Sequence, residues 1–135
     1  MDFNKYVGLP FKHQGRDFDG VDCWGIPYLI FKNELGIILP DFTDLKYDFD
    51  WPENGQNHIL DNINDNWVLI KNGMYKRFDI HIIYDEAGAA SHIGINIGHG
   101  SFIHIFVGSR SLVSRVKLWE KERFYCTLRY KACQK

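Results

Sequence analysis

The sequence predicts an α+β domain: one helix near the N-terminus, carrying a cysteine, packed on an antiparallel β-sheet of about five strands. Two observations carry this expectation. A single helical segment, Cys23 to Leu35, precedes a run of alternating apolar segments between residues 79 and 130, and that order puts a helix on a sheet instead of interleaving the two. Gly, Ser and charged residues separate those segments in the manner of turns. The 135 residues read as a single domain, 1–135, long enough to bury a real core.

Along the chain, Gly8-Leu9-Pro10 and Gly15-Arg16-Asp17-Phe18-Asp19-Gly20 mark loops. Ile26, Leu29 and Ile30 then fall at helical spacing, with Asp22 placed as the N-cap. Pro27 sits in the first turn, where its missing N–H costs little. Gly36 ends the helix and Pro40 follows. Residues 41–66 are polar, with Pro52, Gly55 and many Asn and Asp. They read as a variable insertion over the core, near 41–75, with a short helix around Gln56–Ile63. The expected strands are Asp79–Tyr84, His92–Ile97, Ser101–Val107, Leu112–Trp119 and Phe124–Tyr130.

Composition excludes several classes. The net charge of −1 offers no field for nucleic acid. No apolar stretch reaches the ~18 residues of a membrane span, and Met1 to Tyr6 lack the features of a signal peptide. The expectation is a protein made in the cytoplasm, with no nucleic-acid partner and no membrane insertion. Three cysteines without a CxxC pair fit neither a disulfide framework nor a cysteine-rich zinc site. Cys126 alternates with Phe124, Leu128 and Tyr130 on one strand face and reads as a small core residue. Cys133, near the end, reads as an exposed or frayed thiol.

Cys23 differs because of its place. In Gly20-Val21-Asp22-Cys23-Trp24-Gly25 the thiol opens a helix, where unpaired N–H groups and the helix dipole favour an anion. A lowered thiol pKa and an activated nucleophile follow as expectations. The same N–H groups, that of Cys23 included, are candidate oxyanion donors. A buried cysteine beginning a core helix fits this segment equally well.

In Ser91-His92-Ile93-Gly94-Ile95-Asn96-Ile97, alternation puts His92, Gly94 and Asn96 on one face. Gly94 leaves room there for the Cys23 helix. In Phe102-Ile103-His104-Ile105-Phe106, His104 opposes the isoleucine face. The two histidines share a face only if opposed positions sum to an even number. A three-residue loop, Gly98-His99-Gly100, pairs Ile97 with Ser101 and satisfies this. His104 is then the diagonal neighbour of His92 at roughly 7–8 Å between backbones. A two-residue loop at His99-Gly100 gives an odd sum and separates them. Each histidine taken singly fits a satisfied structural residue on a half-buried strand; the combination of a helix-start Cys23 with His92 and His104 on one face is what points to a nucleophile and its base. A zinc site from the same three side chains lacks any short-range ligand pair. No cofactor is expected, and His13, His58, His81 and His99 read as structural.

These blocks resemble the NlpC-type cell-wall cysteine endopeptidases, most closely their bacteriophage tail branch. Gly20-Val21-Asp22-Cys23-Trp24-Gly25 is similar to the family's Gly-Phe/Val-Asp-Cys-Ser-Gly, His92-Ile93-Gly94-Ile95 to its His-Val-Gly-Ile, and Phe102-Ile103-His104 to its Ile-His hairpin. Tyr6 to Phe11 resembles the approach to the cysteine, and Arg77-Phe78-Asp79-Ile80 resembles a strand entry in which Asp79 is structural. The resemblance runs from residue 3 to about 130, with 41–75 unmatched.

It implies a papain-like fold, Cys23 as nucleophile, His92 as base and His104 as its orienting partner, and hydrolysis of a γ-D-glutamyl–diamino acid bond in peptidoglycan stem peptides. It also implies phage tail proteins as partners and the virion tail as the location. Phe11 stands where the family often has a tyrosine implicated in the oxyanion site, which leaves that task to backbone N–H groups. Trp24 in place of Ser resembles the tail members. Two alternatives stay open: a tail assembly component with weak or no turnover, and a papain-like amidase or acyltransferase on another substrate.

Overall fold

A run of isoleucines organises the molecule. The computed structural model describes residues 2–40, 66–84 and 90–133. The expected helix at Gln56–Ile63 lies outside the described residues. Among the described residues the strands and α-helices are, in chain order, β1 (Arg16–Asp17), β2 (Gly20–Val21), α1 (Gly25–Ile30), β3 (Trp67–Ile70), β4 (Ile80–Tyr84), β5 (Ala90–Gly98), β6 (Ser101–His104), β7 (Leu112–Arg115), α2 (Val116–Trp119) and β8 (Phe124–Tyr130). β1 and β2 form a small hairpin; the other six strands make one antiparallel sheet in the order β3-β8-β4-β5-β6-β7.

Strand alternation divides the sheet into two faces. Ile80, Ile82, Ile93, Ile95, Ile103 and Leu128 are buried on one, against Ile26, Leu29 and Ile30 of α1 and Phe31 beyond it. Each such side chain contributes about 1.5–3 kcal/mol when fully buried. The other face holds Ile83 and Phe102 with Val116, packed by Tyr75, Trp119 and Phe124. β4, with His81 also buried, is therefore covered on both sides.

Several boundaries differ from the sequence expectation. The helix begins at Gly25, two residues after Cys23, and passes at Phe31 into a π-helical turn, Phe31–Leu35, which Gly36 ends at φ 67°. β3 falls within the stretch read as an insertion; Trp67-Val68-Leu69-Ile70 does not alternate, and it pairs along β8. Leu112–Trp119 splits, because α2 turns at Val116 and carries both Val116 and Trp119 to the second cluster, three residues apart on one helical turn. A bulge opposite Ile82–Ile83 moves Phe124 onto the face of Ile83, away from Cys126, Leu128 and Tyr130. Cys133 is half-buried against the main core, not frayed.

Two polar groups anchor the sheet. Asp79 is fully buried and receives both arms of Arg129, at 2.7 and 2.8 Å, and the Lys76 N–H at 2.8 Å. Buried His81 lies 2.8 Å from Thr127 Oγ1 through Nδ1, and Asn96 Nδ2 donates to its Nε2 at 3.2 Å. Both are structural, as a buried, fully hydrogen-bonded polar group is.

Candidate active site

The β5–β6 hairpin sets the site. Its turn is the two-residue one, His99-Gly100, with φ of 55° and 73° at those residues, the type I′ geometry that suits a tight hairpin. Alone, this gives the odd register. A bulge at Ile97, between the Asn96–Phe102 and Gly98–Ser101 pairs, adds one residue and restores the even one. Asn96 Oδ1 fixes the bulge by accepting the Gly98 N–H at 2.8 Å. Gly94 consequently faces His104, and His92 faces Ile83 on the other side of β5. The even register stands; the loop expected to produce it does not.

The two histidines meet. His92 Nε2 lies 2.8 Å from His104 Nδ1, and His104 Nε2 lies 2.7 Å from Ser114 Oγ. Aromatic rings enclose the pair. Phe106 stacks flat on His92 at 4.9 Å, Trp119 meets His104 edge-on at 5.0 Å, and Phe102 lies 4.7 Å from His104. Burial lowers His92 to about 3, helped by His104 and Arg123. Burial, then Arg123, lowers His104 to about 4. Arg123 is held by Tyr84 O at 2.9 and 3.0 Å and lies over the Trp119 ring. Both imidazoles are neutral at pH 7, so each has one N–H and one bare nitrogen.

Only one arrangement of those protons leaves His92 with a bare Nδ1. His92 Nε2–H donates to His104 Nδ1, and His104 Nε2–H donates to Ser114 Oγ. The reverse chain would place a proton on His92 Nδ1 and remove its basicity there.

Cys23 reaches this strand through its backbone. Its sulfur is served by the N–H groups of Cys23 itself and of Ile93, the residue after His92. The β5–β6 ladder ends at the Gly94–His104 pair, so at Ile93 the strand edge is open and the sulfur meets it there. The expected route over Gly94 is closed: the Phe102 ring occupies the space a Cβ would fill at that position. α1 instead packs on the isoleucine face.

The helix start is also built differently from expectation. Asp22 Oδ1 accepts the N–H groups of Trp24 at 3.1 Å and Gly25 at 2.8 Å. A side-chain carboxylate thus takes two of the donors assigned to an anion, and the Cys23 N–H is the oxyanion donor that remains. Burial raises the Cys23 thiol above its ordinary value, and Asp22 adds to this; Arg16 and the two backbone N–H groups pull the other way. The thiol is protonated at rest, contrary to the lowered value expected from helix position alone. The pair Cys23–His92 is neutral in the resting protein.

Phe11 packs with Cys23 against the main core and bridges to Val21, two residues before the cysteine. It supplies no phenol. Sequence reasoning left out Ser114, Trp119 and Arg16. Ser114 had a signal: in even register β7 pairs Phe102 with Ser114, so it shares the face of His104. Among the described residues no group of three or more His, Cys, Asp or Glu is arranged to hold a metal ion, and no helix is long and apolar enough to cross a membrane.

A sequence model of the NlpC/P60 family matches residues 8–127. No curated protein matches the chain. Among solved structures the chain is similar to the NlpC/p60 domain of the peptidoglycan hydrolase SagA, at 20% identity and a TM-score of 0.57, over 90% of this chain and 89% of that one. It is similar to an NlpC/P60 family protein from Bacillus cereus at 21% identity and a TM-score of 0.62, over 93% of this chain and 36% of that one. NlpC2 from Trichomonas vaginalis is similar at 20% identity and a TM-score of 0.64, over 94% and 44%. The chain spans less than half the length of these last two. At such identities the likeness is one of fold.

Proposed function

Because the chain belongs to the NlpC/P60 family, a family of cysteine hydrolases, we propose that it is a peptidoglycan endopeptidase cutting the γ-D-glutamyl–diamino acid bond of stem peptides. The observation that carries this reading is the His92–His104 contact at 2.8 Å beside the strand edge that holds the Cys23 sulfur. In the reaction the sulfur attacks the amide carbonyl as His92 Nδ1 removes its proton, so no free thiolate is needed beforehand. The carbonyl oxygen becomes an oxyanion near the Cys23 N–H. His92, now an imidazolium donating Nε2–H to His104, returns the proton to the departing amine. A thioester on Cys23 remains, and water activated by His92 hydrolyses it to a carboxylic acid and the free thiol.

The finer placement, in a phage tail that opens the wall during infection, is supported by Trp24 after the cysteine and has tail proteins as partners. One observation favours a tail component with little turnover: Phe11 offers no hydroxyl to the oxyanion site. A defined stem tripeptide separates the two readings. Release of free diamino acid by wild type and not by Cys23→Ala supports the endopeptidase; an intact peptide after long incubation refutes it. Mass spectrometry of purified virions tests the tail placement, which fails if the protein is absent from them.

A further inference from the structure

The β1–β2 hairpin is clamped on the start of α1. The Gly15 carbonyl oxygen occupies the space a Cβ would take at Gly25, and the Gly20 carbonyl does the same at Gly15. Glycine at both positions is what allows this approach. Gln14 adopts a left-handed φ of 58° and aims its N–H at Asp22 Oδ2, 3.1 Å away. Arg16, on β1, reaches the other oxygen: Nη1 lies 2.7 Å from Asp22 Oδ1 and 2.8 Å from Gly15 O. The ion pair is largely sheltered, with side-chain exposures of 10% and 5%, so solvent screens it weakly.

Asp22 thereby accepts from Gln14 N–H, Arg16, Trp24 N–H and Gly25 N–H. It is a fixed negative charge one residue from the sulfur that must become anionic in the reaction. The charged groups acting on that sulfur are Asp22, just before α1, and Arg16 of β1; from β5 it meets the N–H of Ile93, whose chain neighbour His92 is neutral.

We propose that Arg16 is a positioning residue for the nucleophile: it holds Asp22 on the helix start and offsets the carboxylate that would otherwise keep the proton on Cys23. This rests on the reading of Cys23 as the nucleophile. Arg16 acts through Asp22 and touches no substrate. The pair solves a conflict of the fold, in which a carboxylate is required to order the helix start and is unfavourable for the chemistry beside it.

The test is the pH dependence of Cys23 alkylation by iodoacetamide, read peptide by peptide so that Cys126 and Cys133 are separated. Arg16→Gln is expected to raise the midpoint for Cys23 by about one pH unit, and Arg16→Lys to keep it near wild type. Asp22→Asn, which retains an oxygen for the Trp24 and Gly25 N–H groups, is expected to lower it. In Arg16→Gln/Asp22→Asn the midpoint is expected between those of the two single variants, because removing Arg16 also removes the attraction its own charge exerts on the sulfur. Unchanged midpoints in Arg16→Gln, or an upward shift in Asp22→Asn, would overturn the proposal even if both variants melt earlier. Should Arg16→Gln not fold, the downward shift in Asp22→Asn beside an unchanged midpoint in Arg16→Lys carries the test, and a shift of Arg16→Lys as large as that of Asp22→Asn, or none in Asp22→Asn, overturns the proposal. Alkylation needs no substrate, so this result stands apart from whether any peptide is cleaved.

Discussion

His92 Nε2 and His104 Nδ1 lie 2.8 Å apart, although His104 pairs with Gly94, two residues along the strand from His92, and both rings are neutral. His104 Nδ1 therefore accepts a hydrogen bond from His92 Nε2–H and fixes the base with its free nitrogen outward. Its replacement by Ala is expected to lower kcat about 10²-fold with little change in KM. His104→Gln, whose side-chain oxygen can accept the same hydrogen bond, is expected to recover part of the loss. Steady-state kinetics on a stem peptide decides this; equal rates for wild type and His104→Ala would remove His104 from the mechanism.

Buried neutral histidines make the fold acid-sensitive. His81 and His92 are lowered to about 3 and His104 to about 4, below the ~6.5 of an unfolded histidine. The unfolded chain thus binds more protons between these values. Stability is complete above about 6.5 and falls as pH drops below it, by up to about 1.4 kcal/mol per pH unit for each histidine. Thermal melts from pH 7 to pH 5 should show a steep decline that His104→Phe makes shallower. A flat profile would contradict the burial of all three.

Gly94→Ala tests the packing beneath the pair. A Cβ there meets the Phe102 ring, which itself touches His104. Overpacking of this kind costs about 1–3 kcal/mol, and the displaced ring should disturb His104, so activity is expected to fall along with melting temperature. Adding Phe102→Leu to Gly94→Ala should recover stability. No effect of the single substitution would mean the ring does not sit over Gly94.

How much of this was legible in the sequence follows from what each signal depends on. Periodicity is local, so the helix over Ile26–Ile30, β8 and the His92 face were readable. The hairpin register was readable only as a parity condition: Asn96 and His99-Gly100 make a bulge and a tight turn whose effects on parity cancel, and alternation alone does not reveal a bulge. β3 was hidden because four consecutive apolar residues carry no period. The Cys23 thiol was misjudged because helix position is a sequence property, whereas burial and the Asp22 contacts are tertiary. Arg16 and Ser114 needed the fold to bring them to the site.

Arg129→Ala separates stability from chemistry. It leaves the Asp79 carboxylate buried without its bidentate partner, a change worth about 3–5 kcal/mol. Urea denaturation should register that loss, whereas kcat per folded molecule is expected to stay near wild type. A large fall in kcat with unchanged stability would show that the pair serves the site and not the sheet.

The most direct test of the central claim is digestion of purified peptidoglycan by wild type, Cys23→Ala and His92→Ala, with the released peptides identified by mass spectrometry. Wild type is expected to release peptides with a new amino terminus at the diamino acid, Cys23→Ala none, and His92→Ala about 10²–10⁴-fold less. The same products from wild type and Cys23→Ala would contradict it.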